Sequence, residues 1–443
     1  MKRIIFYIEK SCFIVELKWI ASASAVESSN LFFETFDISS YTDYATKFVE
    51  LSNEEKIKYK NIDGFFLDKT GIEMNHNKKN YKKLCEEINI NLLSKKYYDI
   101  LFIDRYSEKD TVMDLLASLE NENYIKKIYK QKKQIVKNDL KSDTAIKLMN
   151  SICQGRSLLQ SAQSANMLSK PLIDFYAASA YAYATIVINS PLHKSFDSLK
   201  GSHGHTYNHK NGTIDFGGTV PFGTFTDLLA SSYLIQIVTT DNVRLKYDVL
   251  KSLDFVQKHA ISISLLALLS SVPELRNQVC LVNSKCNIVW NLNVERTVDK
   301  KDNFIYKFEI GDGKNLPNEN VVKSVFNVET IKKIYGKYIV EVSAEDVGKI
   351  CPTIYQDIYG KLWYVEPLIE NLYLPEICLH FLIISALCNI MRYSPYEWNN
   401  ILSNKISSEF SLLISKYLRL FELKYPMLLT EQLTNLLPII SSK

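Results

Sequence analysis

The sequence predicts an α+β protein with a mainly helical core, and three observations support this class. Glycine (14) and proline (11) are scarce among 443 residues, so long regular elements with few tight turns are expected. Apolar residues at helical spacing dominate the middle and the end of the chain. The start of the chain and residues 278–366 are instead rich in β-branched and aromatic residues, which favours strands.

Length and composition are typical of a globular protein with more than one domain. Apolar residues make up 47% of the sequence and charged residues 23%, which argues against a disordered chain. A formal net charge of +4 neither requires nor excludes a nucleic-acid partner. No uninterrupted apolar run approaches the ~20 residues that cross a membrane, so no membrane association is expected. The cysteine spacing fits no zinc site and favours reduced thiols in the cytoplasm.

The N-terminal region is predicted to form a small α/β domain over residues 1–125. Strand patterns cover 4–8, 12–20 and 31–36, and helical patterns cover 41–60 and 78–93. A short apolar strand over 97–103 then precedes helical spacing over 111–119. A strand followed by a helix is half of a βαβ unit, which favours the α/β assignment.

Residues 126–144 are predicted to be a basic linker or a solvated helix. Seven lysines fall between residues 126 and 141, and few apolar residues accompany them. Such a charge run is usually a solvated surface. The alternative is a basic face that binds nucleic acid, with an affinity that falls steeply with salt.

The remaining chain is predicted to be a helical core in two parts, 145–277 and 367–443, separated by a β-rich insertion over 278–366. Two helices are expected between residues 142 and 189, and small residues in the second make it the central helix. Further helices are expected over 225–238, 249–269, 374–392, 396–403 and 407–423, the last ending before Pro426. A long polar loop is expected over 190–224.

Four short motifs in the helical parts resemble the YaaC-like family of bacterial proteins. They are Gln154-Gly155-Arg156, Lys170 to Tyr176, Lys200 to Gly204 and Met391 to Trp398. The likeness covers roughly residues 145–430, in which a β-rich stretch also precedes the last helices. The family implies no established activity. Its helical core is similar to HEPN domains, which implies ribonucleases or partners in defence systems by analogy of fold.

The resemblance to HEPN domains implies a binding or scaffold role for this chain. HEPN-type ribonucleases hold a phosphate with an arginine and transfer protons with a histidine a few residues downstream. No arginine here has a histidine at such spacing, since Arg156, Arg392 and Arg419 are all followed by other residues. The usual catalytic pair is therefore absent.

Two histidines of a Gly/His-rich loop are the candidate catalytic residues. His203 and His205 would act as general bases, because an unperturbed imidazole titrates near neutrality. One alternative is a metal site that they share with Asp197 or Asp215. The other is a solvated loop that only connects helices.

A second set of residues is predicted to bind a phosphate or another ligand. Lys200 would hold an anion together with the backbone N–H groups around Gly201 and Gly204. Arg156 and Arg392 would clamp the same group. No nucleotide-binding signature accompanies them, and neither a metal nor a cofactor is expected.

The preferred function is that of a non-catalytic interaction or scaffold subunit in a bacterial defence or nucleic-acid-processing assembly. The family resemblance and the lack of a complete catalytic motif favour it. The expected partner is a protein or a second copy of the chain. The alternative is a HEPN-like ribonuclease, or an enzyme that binds or hydrolyses nucleotides, which uses loop 200–209 and takes RNA or a nucleotide.

Overall fold

The chain divides into two compact units, residues 1–95 with 133–139 and residues 96–132 with 140–443. The computed structural model describes residues 2–8, 11–17, 72–75, 99–103, 108–132, 140–189, 199, 201–237, 244–248, 255–283, 285, 287–298, 304–313, 315–343, 346, 350, 353–434 and 436–440. Within these residues the protein is α+β and mainly helical, so the predicted fold class is confirmed.

The smaller unit contains an antiparallel sheet in the order β1-β2-β3. Its strands are β1 (Lys2–Ile8), β2 (Ser11–Leu17) and β3 (Ile72–Asn75). The first two strands form a hairpin in which Ile5 pairs with Ile14. The elements predicted over 31–36, 41–60 and 78–93 lie outside the described residues.

The larger unit contains the helices and the other strands. Its helices are α1 (Glu108–Ser118), α2 (Glu122–Lys132), α3 (Ser142–Ser164), α4 (Lys170–Asn189), α5 (Thr224–Ser231), α6 (Leu265–Ser270), α7 (Arg276–Val282), α8 (Glu319–Phe326), α9 (Glu376–Tyr393), α10 (Pro395–Leu402) and α11 (Ser408–Leu433). Its strands are β4 (Asp99–Ile103), β5 (His205–Asn208), β6 (Thr213–Gly217), β7 (Tyr233–Ile237), β8 (Arg244–Asp248), β9 (Ala260–Ser264), β10 (Val289–Val298), β11 (Phe304–Ile310), β12 (Lys332–Ile334), β13 (Lys337–Ser343), β14 (Thr353–Gln356), β15 (Leu362–Val365) and β16 (Leu436–Ile440).

Helix α4 is the centre of the helical core, as its small residues predict. It contacts α3, α5, α9 and α11. At the crossing with α3, the hydroxyl of Ser151 donates a 2.7 Å hydrogen bond to the carbonyl of Ala180. A Cβ added at Gly155 would lie only 2.6–2.8 Å from the ring of Tyr181, so the two helices are as close as a glycine allows.

The β-rich insertion is a six-stranded antiparallel sheet in the order β12-β13-β11-β10-β15-β14. It lies in the chain between α7 and α9, and α8 interrupts it. Phe326 of α8 packs on Phe308 of β11 with ring centroids 4.9 Å apart. The alternation of apolar and polar residues along these strands places one face against a core, as expected for an antiparallel sheet.

The far end of the chain returns to the first strand of the larger unit. Strand β16 pairs in parallel with β4, and Leu436 lies opposite Asp99. Helix α1 packs against α11 beside this pair. Strand β4 and helix α1, which the sequence pattern grouped with the N-terminal domain, are part of the larger unit.

Three local predictions are wrong. The polar loop over 190–224 contains the hairpin β5–β6. The helix over 225–238 ends at Ser231, and the chain continues as β7. Residues 260–264, predicted as helix, form β9, whose alternating exposed and buried residues are typical of a strand. In each case the strand is short. Glycines and polar residues hid the hairpin β5–β6, whereas neighbouring apolar residues gave a helical period that outweighed β7 and β9.

The last helix does not end before Pro426 but runs through it to Leu433. Proline removes one backbone donor from a helix. Here almost every residue from Phe421 to Leu433 is buried, so packing outweighs the loss. The carbonyl of Pro426 also accepts a 3.0 Å hydrogen bond from the Thr430 hydroxyl.

Within the described residues, two helices, α4 and α9, are long and apolar enough to cross a membrane by length and composition alone. In each helix, 78% of the apolar segment is buried inside the protein, as in the core helices of soluble proteins. Their apolar character is therefore explained by contacts within the helical core.

Buried ion pairs connect the core helices. Lys424 of α11 lies 3.1 Å from Glu274 and 3.0 Å from Glu376 of α9. Lys170 of α4 pairs with Glu422 of α11, and its ammonium donates a 2.7 Å hydrogen bond to a carbonyl of α3. These side chains are almost fully buried, so each charge needs its partner.

We predict that Gly155→Ala destabilises the protein, although alanine normally favours a helix over glycine. The added methyl group overlaps the Tyr181 ring, so the free energy of unfolding should fall by roughly 1–3 kcal/mol. Urea unfolding measures this. The control Gln154→Ala, exposed on the same helix, should change stability little, and equal stability of Gly155→Ala and wild type would contradict the predicted contact.

We predict that Lys424→Met destabilises the protein by roughly 3–5 kcal/mol, because it leaves the carboxylates of Glu274 and Glu376 buried without a cation. The matched control is Lys147→Met, which removes an exposed pair with Asp143 and should cost about 0.5 kcal/mol or less. Thermal and urea unfolding of the two variants test this. Equal losses would show that the buried pairs do not stabilise the core.

Candidate functional site

The Gly/His-rich segment is fixed by hydrogen bonds to the first turn of α5. The carbonyl of Ser202 accepts a 2.9 Å bond from Thr224 N–H, and that of His203 accepts a 2.9 Å bond from Phe225 N–H. A Cβ at Gly223 would overlap the carbonyl of Ser202. Gly204 has a φ of +76°, which an L-residue rarely adopts. The glycines thus allow the segment to lie directly on the helix.

This contact uses the backbone groups that were predicted to bind an anion. The first N–H groups of α5 donate to carbonyls of the segment itself. The N–H of Gly204 donates to the Ser202 hydroxyl at 3.2 Å. Gly201 is exposed, and Lys200 lies outside the described residues. Within the described chain, the predicted backbone cradle is therefore occupied by the protein's own groups.

His205 is buried and uses both ring nitrogens. Its Nδ1 lies 3.1 Å from the carbonyl of His203, which can only accept, so Nδ1 carries the proton. Its Nε2 then accepts from the hydroxyl of Ser385 of α9 at 2.5 Å. Burial lowers the pKa of His205 to about 4, although the hydrogen bond to the His203 carbonyl opposes this shift; the charge of His203 adds a smaller lowering. This geometry favours a structural role, since the neutral ring connects β5 to α9.

His203 has the opposite environment. Its ring packs edge-on against Phe175 of α4 at 5.5 Å and lies 6.1 Å from the ring of His205, while the residue as a whole is exposed. Partial burial lowers the pKa of His203, and the nearby guanidinium of Arg392 lowers it further. Two of the predicted site residues, His203 and Arg392, thus lie within electrostatic range of each other, and both are exposed.

The end of α9 and the start of α10 lie beside these two residues. Nδ1 of His209 lies 3.0 Å from the hydroxyl of Ser394, which attaches the hairpin β5–β6 to this junction. The ring of His209 also meets the ring of Tyr393 edge-on at 6.2 Å. The guanidinium of Arg392 lies over the Tyr393 ring, 4.8 Å from its centroid.

We call this part of the protein the junction surface and define it by five exposed residues: His203, His209, Arg392, Tyr393 and Tyr396. The two tyrosines are 60% and 80% exposed, which is unusual for large aromatic side chains. The sequence analysis included them only in a motif and assigned them no role. Their position after a buried helix, on either side of Pro395, was the available signal.

Arg156 is paired with a carboxylate and is not one of the residues of the junction surface. Its guanidinium makes a bidentate ion pair with the carboxylate of Glu120, in which the Nη2–Oε2 distance is 2.9 Å. The hydrogen bond to Glu120 raises the pKa of Arg156. A carboxylate already occupies the place where a phosphate would bind, so this arginine joins α3 to the end of α1.

The described residues contain no arrangement of side chains suited to a metal ion. No group of three or more histidine, cysteine or acidic side chains there lies close enough to hold an ion. Asp215, one of the acids considered, accepts hydrogen bonds from the hydroxyls of Thr213 at 2.9 Å and Ser262 at 2.6 Å. Asp197 lies outside the described residues.

Comparison with known protein families places the chain in one of them. Residues 114–433 match the YaaC-like protein family, a span that contains the helical core, the six-stranded sheet and the junction surface. The chain belongs to this family, as its motifs predicted. No curated protein and no solved structure matches the chain significantly. The similarity of the core to HEPN domains stays a prediction.

We predict that His205 makes stability depend on pH. Its folded-state pKa of about 4 lies below the ordinary 6.5, so the unfolded chain binds the proton first. Stability should therefore fall as the pH drops below about 6.5, by roughly 2–3 kcal/mol at about pH 4.5 relative to about pH 7.5.

Urea unfolding of wild type and His205→Gln at the two pH values tests this. The variant lacks the titrating group, so its stability should depend less on pH. His380 of α9, whose pKa burial lowers to about 3, is present in both proteins and cancels in the comparison. The same pH dependence in both proteins would show that His205 titrates normally in the folded state.

Proposed function

We propose that the protein is a non-catalytic interaction subunit of a cytoplasmic bacterial assembly for defence or nucleic-acid processing. Its contact surface is the junction surface. The observation that supports this proposal is that two of the predicted site residues are bonded within the protein and two are exposed. His205 and Arg156 are used inside the protein, whereas His203 and Arg392 lie exposed beside two exposed tyrosines.

The composition of the junction surface supports binding. Tyrosine and arginine are enriched at the residues that contribute most to interfaces, because each offers a large contact area together with polar groups. The support under this surface is rigid, since His209 is bonded to Ser394 and His205 to Ser385. A surface that is already ordered loses little conformational entropy on binding.

A second candidate is the enzyme predicted as the alternative. His203 and Arg392 are exposed and within electrostatic range of each other, so a ribonuclease or nucleotide hydrolase would use them as general base and phosphate clamp. His205 would not share this role, because its Nε2 is bonded to Ser385. Turnover of RNA or nucleotides by the purified chain, abolished by His203→Ala, would favour this candidate over the interaction subunit.

We predict that the junction variants Arg392→Ala and Tyr396→Ala lose the partner of the wild-type chain. The test is native mass spectrometry of the chain co-expressed with the products of its chromosomal neighbours. The matched controls are Arg419→Ala on α11 and Tyr335→Ala, since Arg419 is exposed and Tyr335 is 96% exposed away from the junction. They should keep the complex.

The expected result is a stoichiometric complex for wild type and controls and at least about a tenfold weaker complex for the junction variants, as for a residue of high binding energy. A complex that persists in both junction variants would show that the interface lies elsewhere on the protein. A chain that forms no complex and degrades RNA or nucleotides would overturn the interaction subunit in favour of the enzyme.

A further inference from the structure

Arg392 differs from Arg156 and Arg276, two other arginines of the described chain. Arg156 pairs with Glu120, and Arg276 pairs with Asp312. Arg392 forms no ion pair with a carboxylate in the described part of the chain. It lies instead over the ring of Tyr393 and beside Cys388. A guanidinium that is oriented by a ring and has no acidic partner has its donors available for an anion.

The neighbours of His203 also leave room for negative charge. The titratable groups near it are His205 of β5, which stays neutral, and Arg392 of α9, while α4 presents Phe175 and the N–H of Phe225 of α5 donates to the carbonyl of His203. A carboxylate of this region, that of Glu397 of α10, adds to the effect of burial in raising the pKa of Tyr207. Two groups that repel when both are charged are therefore held together, and an anion between them would turn repulsion into attraction.

The two exposed tyrosines of the junction surface indicate which kind of ligand contains the anion. Tyr393 and Tyr396 are exposed beside Arg392, and every nucleobase has a face that can stack on an aromatic ring. Arginine and aromatic rings in combination are typical of sites for unpaired nucleotides, in which the phosphate meets the cation and the base meets the ring. A free phosphate would use only the cationic half of this surface.

We propose that the junction surface binds single-stranded nucleic acid, with a backbone phosphate at Arg392 and His203 and a base on Tyr393 or Tyr396. This inference rests on the proposed function, because it names the chemistry of the partner at the same surface. The bond between Ser394 and His209 holds the two parts of the site together. Binding involves no covalent step.

The test is fluorescence anisotropy of labelled single-stranded RNA and DNA of the same sequence with the purified full chain. Arg392→Ala and Tyr396→Ala should each weaken binding by about tenfold, and the controls Arg419→Ala and Tyr335→Ala should bind as wild type does. A methylphosphonate strand, which keeps its bases but lacks backbone charge, should bind to wild type at least as weakly as the natural strand binds to Arg392→Ala. Inorganic phosphate should bind far more weakly than either nucleic acid.

The pH dependence gives a second readout that does not depend on folding of a variant. A bound phosphate favours protonated His203, so wild-type affinity should rise as the pH falls from about 7.5 to about 5.5. His203→Gln should lack this rise. Preference for RNA or DNA identifies the source of the strand, and binding of either one supports the proposal.

Three results would overturn the proposal: no binding of either strand, equal binding by Arg392→Ala and wild type, or equal binding of the methylphosphonate strand. If strands fail to bind while the junction substitutions still break the complex with a co-expressed protein, the interaction subunit stands and its partner is a protein. If neither the strands nor a protein partner depends on the junction surface, the proposed function fails as well.

Discussion

At Gly155 the backbone of α3 lies directly against the ring of Tyr181, and this contact determines where α4 lies. A side chain at that position would separate the two helices. With α4 in place, α9 and α11 pack along its other sides, and buried ion pairs fix their rotation. The end of α9, with Arg392 and Tyr393, is thereby positioned by contacts far from the surface it forms.

Three histidines that lie within seven residues of the sequence illustrate how environment decides chemistry. His205 enters the core, gives both nitrogens to the protein and loses its ability to act as a base near neutrality. His203 keeps an exposed ring beside Arg392. His209 attaches the hairpin to Ser394. Strand alternation does not explain this division, because positions separated by two or four residues lie on the same face of a strand. Instead, β5 covers only His205–Asn208, so His203 precedes the strand and His209 follows it.

The long helices and the β-rich insertion could be predicted from sequence, because their apolar periods extend over many residues. The pattern of small residues also identified α4 as central. The short strands β5, β6 and β9 could not, since four or five residues among glycines and polar residues give little periodicity. Likewise α11 passes through Pro426, because burial of its last turns outweighs the local preference of proline.

Residue types in the sequence identified part of the candidate site. Which of these residues are exposed and which are paired depends on contacts between residues far apart in the sequence. Arg392 and His203 were predicted, and the structure brings them together. The pairing of Arg156 with Glu120 spans 36 residues and that of His205 with Ser385 spans 180, so neither was visible in the sequence. The exposure of Tyr393 and Tyr396 was hidden for the same reason, because an aromatic residue beside a core helix is usually buried.

The measurement that tests this account most directly is an NMR titration of the histidine side chains in the full chain, with and without a single-stranded oligonucleotide. The account predicts that the His205 ring stays neutral, protonated on Nδ1, down to a pKa of about 4 and does not respond to the oligonucleotide. The pKa of His203 should lie below its ordinary value in the free protein and rise on binding. A His205 that titrates near neutrality, or a His203 that ignores the oligonucleotide, would contradict it.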